Sequence, residues 1–173
     1  QPISTILKNR LLTPLGMGAS HAAITQEIRQ QLAVGYDAYF DDRPHLCGGP
    51  LAPAPWLESD TADGAICATT EDMCCYLRAL LRRCKGLLSQ ESFEQLTQPQ
   101  IATEDGLHGE SYGLGIFIQD LGDHKVIGHS GGMVGYLAHL LADLDTGLGI
   151  IALTNSPYDP RPLVQLAWEL LVA

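Results

Sequence analysis

The sequence predicts an α+β fold: a helical segment, then a three-stranded antiparallel sheet, then a covering C-terminal helix. Three observations carry this. Apolar residues recur at helical spacing up to about residue 110, the texture turns aromatic and β-branched from residue 111, and an amphipathic stretch closes the chain from Pro162. The organisation read from this is a mainly helical part, 1–110, and a sheet-plus-helix part, 111–173. No internal repeat or low-complexity run interrupts it.

Taken in order, Pro2 suits the first turn of a helix, and Ile3, Ile6, Leu7 and Leu11 continue its spacing to Leu12. Thr13-Pro14-Leu15-Gly16 then reads as a stop. A shorter helical pattern, Ile24, Ile28, Leu32 and Ala33, is closed by Gly35. Residues 36–60 are irregular, with Pro44, Pro50, Pro53 and Pro55 among Tyr36, Tyr39, Phe40 and Trp56. A loop of that length is either the rim of a site or an anchored connection. Thr69 and Asp72 form a capping box ahead of the stripe Met73, Tyr76, Leu77, Leu80 and Leu81. Arg78, Arg82 and Arg83 face water, and Gly86 ends the helix. Ser89 caps another helix, which runs through Leu96 until Pro99 ends it. Strands are expected at 112–120 and 124–128, joined by a Gly122-Asp123 turn. Residues 136–144 suit helix or strand by periodicity, but the Asp145-Thr146-Gly147 turn and the apolar run 148–153 favour a hairpin. The last helix is expected to bury Leu163, Leu166, Ala167, Leu170 and Leu171.

At 173 residues, 46% hydrophobic and 17% charged, the chain can build one core or two small ones. Ten basic against twenty acidic residues give a net charge of −10, which argues against nucleic acid or an anionic membrane as partner. No apolar run reaches membrane-spanning length, and residues 1–30 lack a signal-peptide pattern. The chain begins Gln1-Pro2, so it is expected to be a piece of something longer, with any signal upstream. Five cysteines, at 47, 67, 74, 75 and 84, form neither a disulfide framework nor a zinc pattern. They read as mostly buried small hydrophobes, which favours a reducing compartment.

Chemistry concentrates at Val126-Ile127-Gly128-His129-Ser130-Gly131-Gly132-Met133-Val134-Gly135-Tyr136. Glycines at 131, 132 and 135 let a ligand or a second chain approach the backbone beside a histidine and a hydroxyl. The bland reading is a glycine-rich turn between strands with a satisfied histidine beside it. A nucleophile elbow, G-x-S-x-G at 128–132, would need a histidine and an acid further along the chain. Only His139 follows Ser130, in the very next element, and the later acids Asp143, Asp145, Asp159 and Glu169 have no histidine to orient. That reading lacks a base.

The alternative takes His129-Ser130-Gly131-Gly132 as the end of a strand forming one wall of a cleft. With Tyr112-Gly113-Leu114-Gly115, Gly135-Tyr136, Asp145-Thr146-Gly147-Leu148-Gly149 and Leu153-Thr154-Asn155, it resembles the closing sheet of the serine β-lactamase and penicillin-binding-protein superfamily. The likeness is greatest to class C-related esterases, D-aminopeptidases and D-Ala-D-Ala carboxypeptidases. Pro14-Leu15-Gly16-Met17, and Gly64 with Thr69-Thr70-Glu71-Asp72-Met73, resemble upstream landmarks in the same order.

The resemblance implies acyl transfer to an ester, D-amino peptide or β-lactam, with no metal or organic cofactor. His129-Ser130-Gly131 matches the H-x-G variant of the family's strand motif. By that match His129 orients a tyrosine or a substrate carboxylate, Ser130 hydrogen-bonds substrate, and the Gly132 N–H is one oxyanion donor. Gly131 and Tyr112 join the substrate-binding set. The family is often periplasmic, against the lean of the cysteines. The family's S-x-x-K and Y-x-N are missing: no serine has lysine three residues on, and none of the six tyrosines begins Y-x-N.

Three hypotheses follow. The chain is the C-terminal portion of a serine hydrolase, or a non-catalytic binding or assembly module that kept the fold, or an unrelated α+β domain. Under the first two, the isolated chain is inactive. Its open sheet edge would take either the missing N-terminal half or a second copy.

Overall fold

The computed structural model describes residues 1–44, 46–103 and 111–172. The boundary read at residue 110 lies beside a stretch outside the described residues. An antiparallel meander dominates: β3 (Ile101–Ala102), β4 (Ser111–Tyr112), β5 (Phe117–Leu121), β6 (His124–Met133), β7 (Tyr136–Asp143) and β8 (Gly149–Thr154), neighbours in that order. The α+β class is as expected, but the sheet has six strands rather than three. Two of the additions, β3 and β4, have two residues each, too few for alternation to register. The run expected at 112–120 is split: Gly113 N–H bonds the Ile116 carbonyl at 2.8 Å and Gly115 sits at φ +80.

Helices cover both faces of the sheet. On one, α3 (Thr70–Leu81) and α4 (Gln90–Leu96) enclose Leu77, Leu80, Phe93, Ile118, Ile127 and Leu140. On the other, α5 (Arg161–Val172) packs Val164 and Trp168 over Leu121, Val126 and Leu141. This corrects the face expected for α5. Leu163, Leu166, Leu170 and Leu171 are exposed, and the contact follows 164 and 168, one turn apart. The helix carries more apolar surface than one sheet contact covers, so periodicity alone could not select the buried line.

Elsewhere tertiary contacts adjust local expectations. α1 (Ile3–Leu7) runs on through a π-helical stretch (Lys8–Leu12) into α2 (Thr13–Leu15), and Gly16 closes it at φ +72. The wider turn, with Thr13 N–H bonded back to the Lys8 carbonyl, accommodates Pro14, which has no N–H to give. The helix expected over 24–34 is a 3₁₀ helix, Gln26–Gln31, followed by extended chain at Leu32. Residues 33–36 are held elsewhere: Tyr136 Oη donates to the Ala33 carbonyl (2.6 Å), Asn155 Nδ2 to that of Val34 (2.8 Å), and Tyr36 N–H to that of Asn155 (2.9 Å). Gly35 is therefore a packing glycine, since a Cβ there would lie 2.8 Å from the Tyr136 ring. The following loop forms a hairpin, β1 (Tyr36–Ala38) with β2 (Leu51–Pro53), fastened beside the β6–β7 turn.

The capping box of α3 is half-made. Thr69 Oγ1 accepts the Asp72 N–H (3.2 Å), but the Asp72 carboxylate turns to Ala19 N–H (2.9 Å) and Ser20 Oγ (2.7 Å), tying the chain after α2 to α3. Of the five cysteines only Cys84 is buried; Cys67, Cys74 and Cys75 are half-buried and Cys47 is exposed, all as free thiols. Among the described residues no helix is long and apolar enough to cross a membrane.

Candidate active site

The site is built on unequal pairing along β6. β5 accompanies it only to Phe117 opposite Gly128, whereas β7 follows it to Tyr136 opposite Met133. Among the described residues, 129–133 thus have a strand neighbour on one side only. The glycines divide by role. A Cβ on Gly131 would meet only the Ala138 Cβ, at 3.9 Å, so this stretch is open to an approaching group. Gly128 is closed in against the Leu140 carbonyl, and Gly135, at φ +82, would put a Cβ 2.9 Å from the Gly35 Cα.

At the start of the open edge, His129 Nε2 lies 2.8 Å from Tyr112 Oη. Its Nδ1 faces the Ser130 carbonyl, which can only accept, so Nδ1 carries the proton. In the neutral ring Nε2 is then the acceptor, and the Tyr112 hydroxyl donates to it. Phe117 stacks on the imidazole with ring centres 5.0 Å apart and meets Tyr112 edge-on at 4.9 Å. Three rings from β4, β5 and β6 fix one another. Of the residues singled out in the sequence, Tyr112, His129 and Ser130 come together here, and Gly131 and Gly132 form the bare strand beyond them.

Sequence reasoning missed His139. Its Nδ1 is 2.8 Å from Ser130 Oγ, because Ser130 and His139 are register partners on β6 and β7. A signal existed: with Val134-Gly135 as a two-residue turn, three steps back from Met133 and three on from Tyr136 give this pair. Ser130 therefore has a histidine after all. Burial holds the His139 imidazole below its ordinary pKa; Arg161 and His129 add to this and Asp159 opposes it. Asp159 itself is engaged by Arg161, with Nη2 2.7 Å from Oδ2, and this holds its carboxyl below the usual range. A cavity of about 200 Å³ is lined by Phe117, Gln119, Ser130, His139 and Arg161, and a groove past Gly131, Gly132, Asp159 and Pro160 adjoins it.

A family model described as Beta-lactamase matches residues 1–173. The chain belongs to the beta-lactamase family. Among solved structures, the octameric penicillin-binding protein homologue from Pyrococcus abyssi is 28% identical at TM-score 0.85, covering 98% of this chain and 37% of that one. The D-stereospecific amidohydrolase from Streptomyces sp. is 20% identical at TM-score 0.75, covering 95% of this chain and 48% of that one. The penicillin-binding protein from Bacillus halodurans is 22% identical at TM-score 0.75, covering 97% and 49%. The chain spans less than half the length of each. The latter two share the fold; no curated protein matches by sequence. Within the family fold, the open end of β6 carries the H-x-G residues His129, Ser130 and Gly131.

Proposed function

We propose that this chain forms one wall of the cleft of a β-lactamase-like serine hydrolase, one that acts through an acyl-enzyme on an ester, D-amino peptide or β-lactam. The observation that carries the reading is the Tyr112–His129 bond at the start of an unpaired, glycine-bare strand end. A bound acyl group lying along that edge would find backbone amides and no side chain in its way. The Gly132 N–H is assigned as an oxyanion donor, acting where charge develops on the carbonyl oxygen. His129, its tautomer fixed by the Ser130 carbonyl, orients a hydroxyl at Nε2; in this chain that hydroxyl is Tyr112. Ser130 and Gly131 line the substrate's flank.

The nucleophile and its lysine are assigned to a portion beyond these residues, since no S-x-x-K occurs among the 173. The isolated chain is accordingly inactive. The test is intact mass after exposure to a fluorophosphonate and, separately, a penicillin. No adduct is expected. Because His139 supplies Ser130 with a base within hydrogen-bond distance, the experiment has a real alternative outcome: a stoichiometric adduct on Ser130 would make Ser130 the nucleophile and overturn the reading.

A further inference from the structure

We propose that the turn between α3 and α4 is a peripheral docking point for an anionic phospholipid surface. Arg78, Arg82, Arg83 and Lys85 meet the headgroups, and Leu88 enters between them. The proposal is independent of the cleft-wall reading and concerns the opposite end of the molecule.

The net charge is −10, yet four of the ten basic residues fall within 78–85. All four are exposed, and among the described residues no carboxylate pairs with any of them. Arg78 Nη2 donates only to the Cys75 sulfur, at 3.1 Å. The helix dipole accounts for cations at the end of α3, Arg78 and Arg82. It does not account for Lys85, past the helix, or for the conformation of Arg83. Arg83 lies at φ +55 and Cys84 at φ +51, a left-handed pair in which glycine is less strained. Cys84 is explained by its burial beside Leu80 and Phe93. Arg83 holds a long cation in solvent, and nothing in the fold uses it. Arg78 and Arg82, four apart on one helix face, also repel each other. Both features destabilise the free chain, and an anionic partner relieves both.

Three observations favour a lipid surface over a soluble polyanion. Leu88 is 41% exposed and its backbone is bridged to Lys85, which sets apolar surface among the cations. A Cβ on Gly86 would meet nothing within 4 Å, so the turn stands clear and suits a flat partner. Finally, α3 runs away from the cleft: Gly64, ahead of it, lies against Met133, while Leu77 lies against Gly149. Their β7 partners, Tyr136 and Ala142, stand about 20 Å apart along the strand, so a docked chain keeps its cleft in water. At physiological ionic strength charges beyond about 8 Å are screened, and this corner, not the total charge, faces the membrane.

The test is co-sedimentation of the chain with phosphatidylcholine vesicles, with and without phosphatidylglycerol, at physiological ionic strength. Affinity should be at least about tenfold higher for the mixed vesicles and should fall with added salt. Arg82→Gln and Arg83→Gly should each lower it about fivefold. Leu88→Ser should lower it without altering the salt dependence. Arg83→Gly should at the same time raise Tm by about 2–4 °C, because glycine relieves the left-handed strain. Arg43→Gln, in the hairpin at the cleft end, should leave vesicle binding unchanged. Equal binding to phosphatidylcholine alone would assign the contact to the exposed face of α5 and overturn the proposal. So would unchanged binding in the two arginine variants, no effect of Leu88→Ser, or a lower Tm in Arg83→Gly. Capture of poly-glutamate in place of vesicles would overturn it in favour of an acidic protein partner.

Discussion

Gly128 and Gly131 stand on the same strand and answer to different constraints. Gly128 has the Leu140 carbonyl against it, so Gly128→Ala forces backbone apart and should cost about 1–3 kcal/mol or more. Gly131→Ala meets nothing nearer than 3.9 Å and should change stability by less than about 0.5 kcal/mol. Urea denaturation of the two variants compares them directly, and equal losses would contradict the open edge. Asp143 offers a second test. Its fully buried carboxylate would be raised by burial alone, but bonds from Thr146 N–H (3.1 Å), Asp145 N–H (2.9 Å) and His124 Nδ1 (2.8 Å) outweigh that and depress its pKa. A depressed carboxyl stabilises above its unfolded pKa and loses that contribution as pH falls through the folded one. Asp143→Asn should therefore cost about 1.5–3 kcal/mol at pH 7 and progressively less below about pH 4. A pH-independent loss in thermal melts would reject ionisation as the cause. At this scale the sequence showed the cluster at 128–132 because its residue types are unusual together. It hid the Ser130–His139 pair because strand register, not proximity along the chain, brings them together.

Elements with a local cause were the legible ones. Thr69 and Ser89 cap α3 and α4 as expected, each through a side-chain oxygen accepting an N–H three residues on. Thr69→Ala should cost about 1 kcal/mol in denaturant melts, whereas loss of Asp72 would also release Ala19 and Ser20. Illegible features were those set by a partner distant in sequence. Gly35 looked like a helix terminator because nothing nearby reveals Tyr136, and α5 showed its apolar content without its orientation. Two substitutions on α5 separate those: Trp168→Ala, at the sheet contact, should cost about 3–5 kcal/mol, and Leu170→Ser, 72% exposed, less than about 0.5 kcal/mol. A larger loss at Leu170 would place the contact on the other face.

Two exposed features of the whole molecule lie side by side. β8 pairs with β7 alone, so one edge of Gly149–Thr154 presents unpaired backbone among the described residues. Next to it, α5 exposes Leu163, Leu166 and Leu170 at 63%, 53% and 72%. An unpaired edge and an apolar helix face invite the same kind of cover, a strand with apolar residues behind it. In the isolated chain, a second copy can supply that. The net charge of −10 opposes such association at long range, and salt screens it within about 8 Å at physiological ionic strength. The two forces make a signed prediction. Sedimentation of the isolated chain should show association that grows with concentration and with added sodium chloride. Leu166→Lys with Leu170→Lys should abolish it even at high salt, where the small change in net charge no longer matters. Proline at Ile151 is no useful variant, because that residue packs against the α3-side core and its loss would unfold the strand. A chain that stays monomeric at every salt and concentration would mean that net charge and edge geometry already suffice to keep the surface apart.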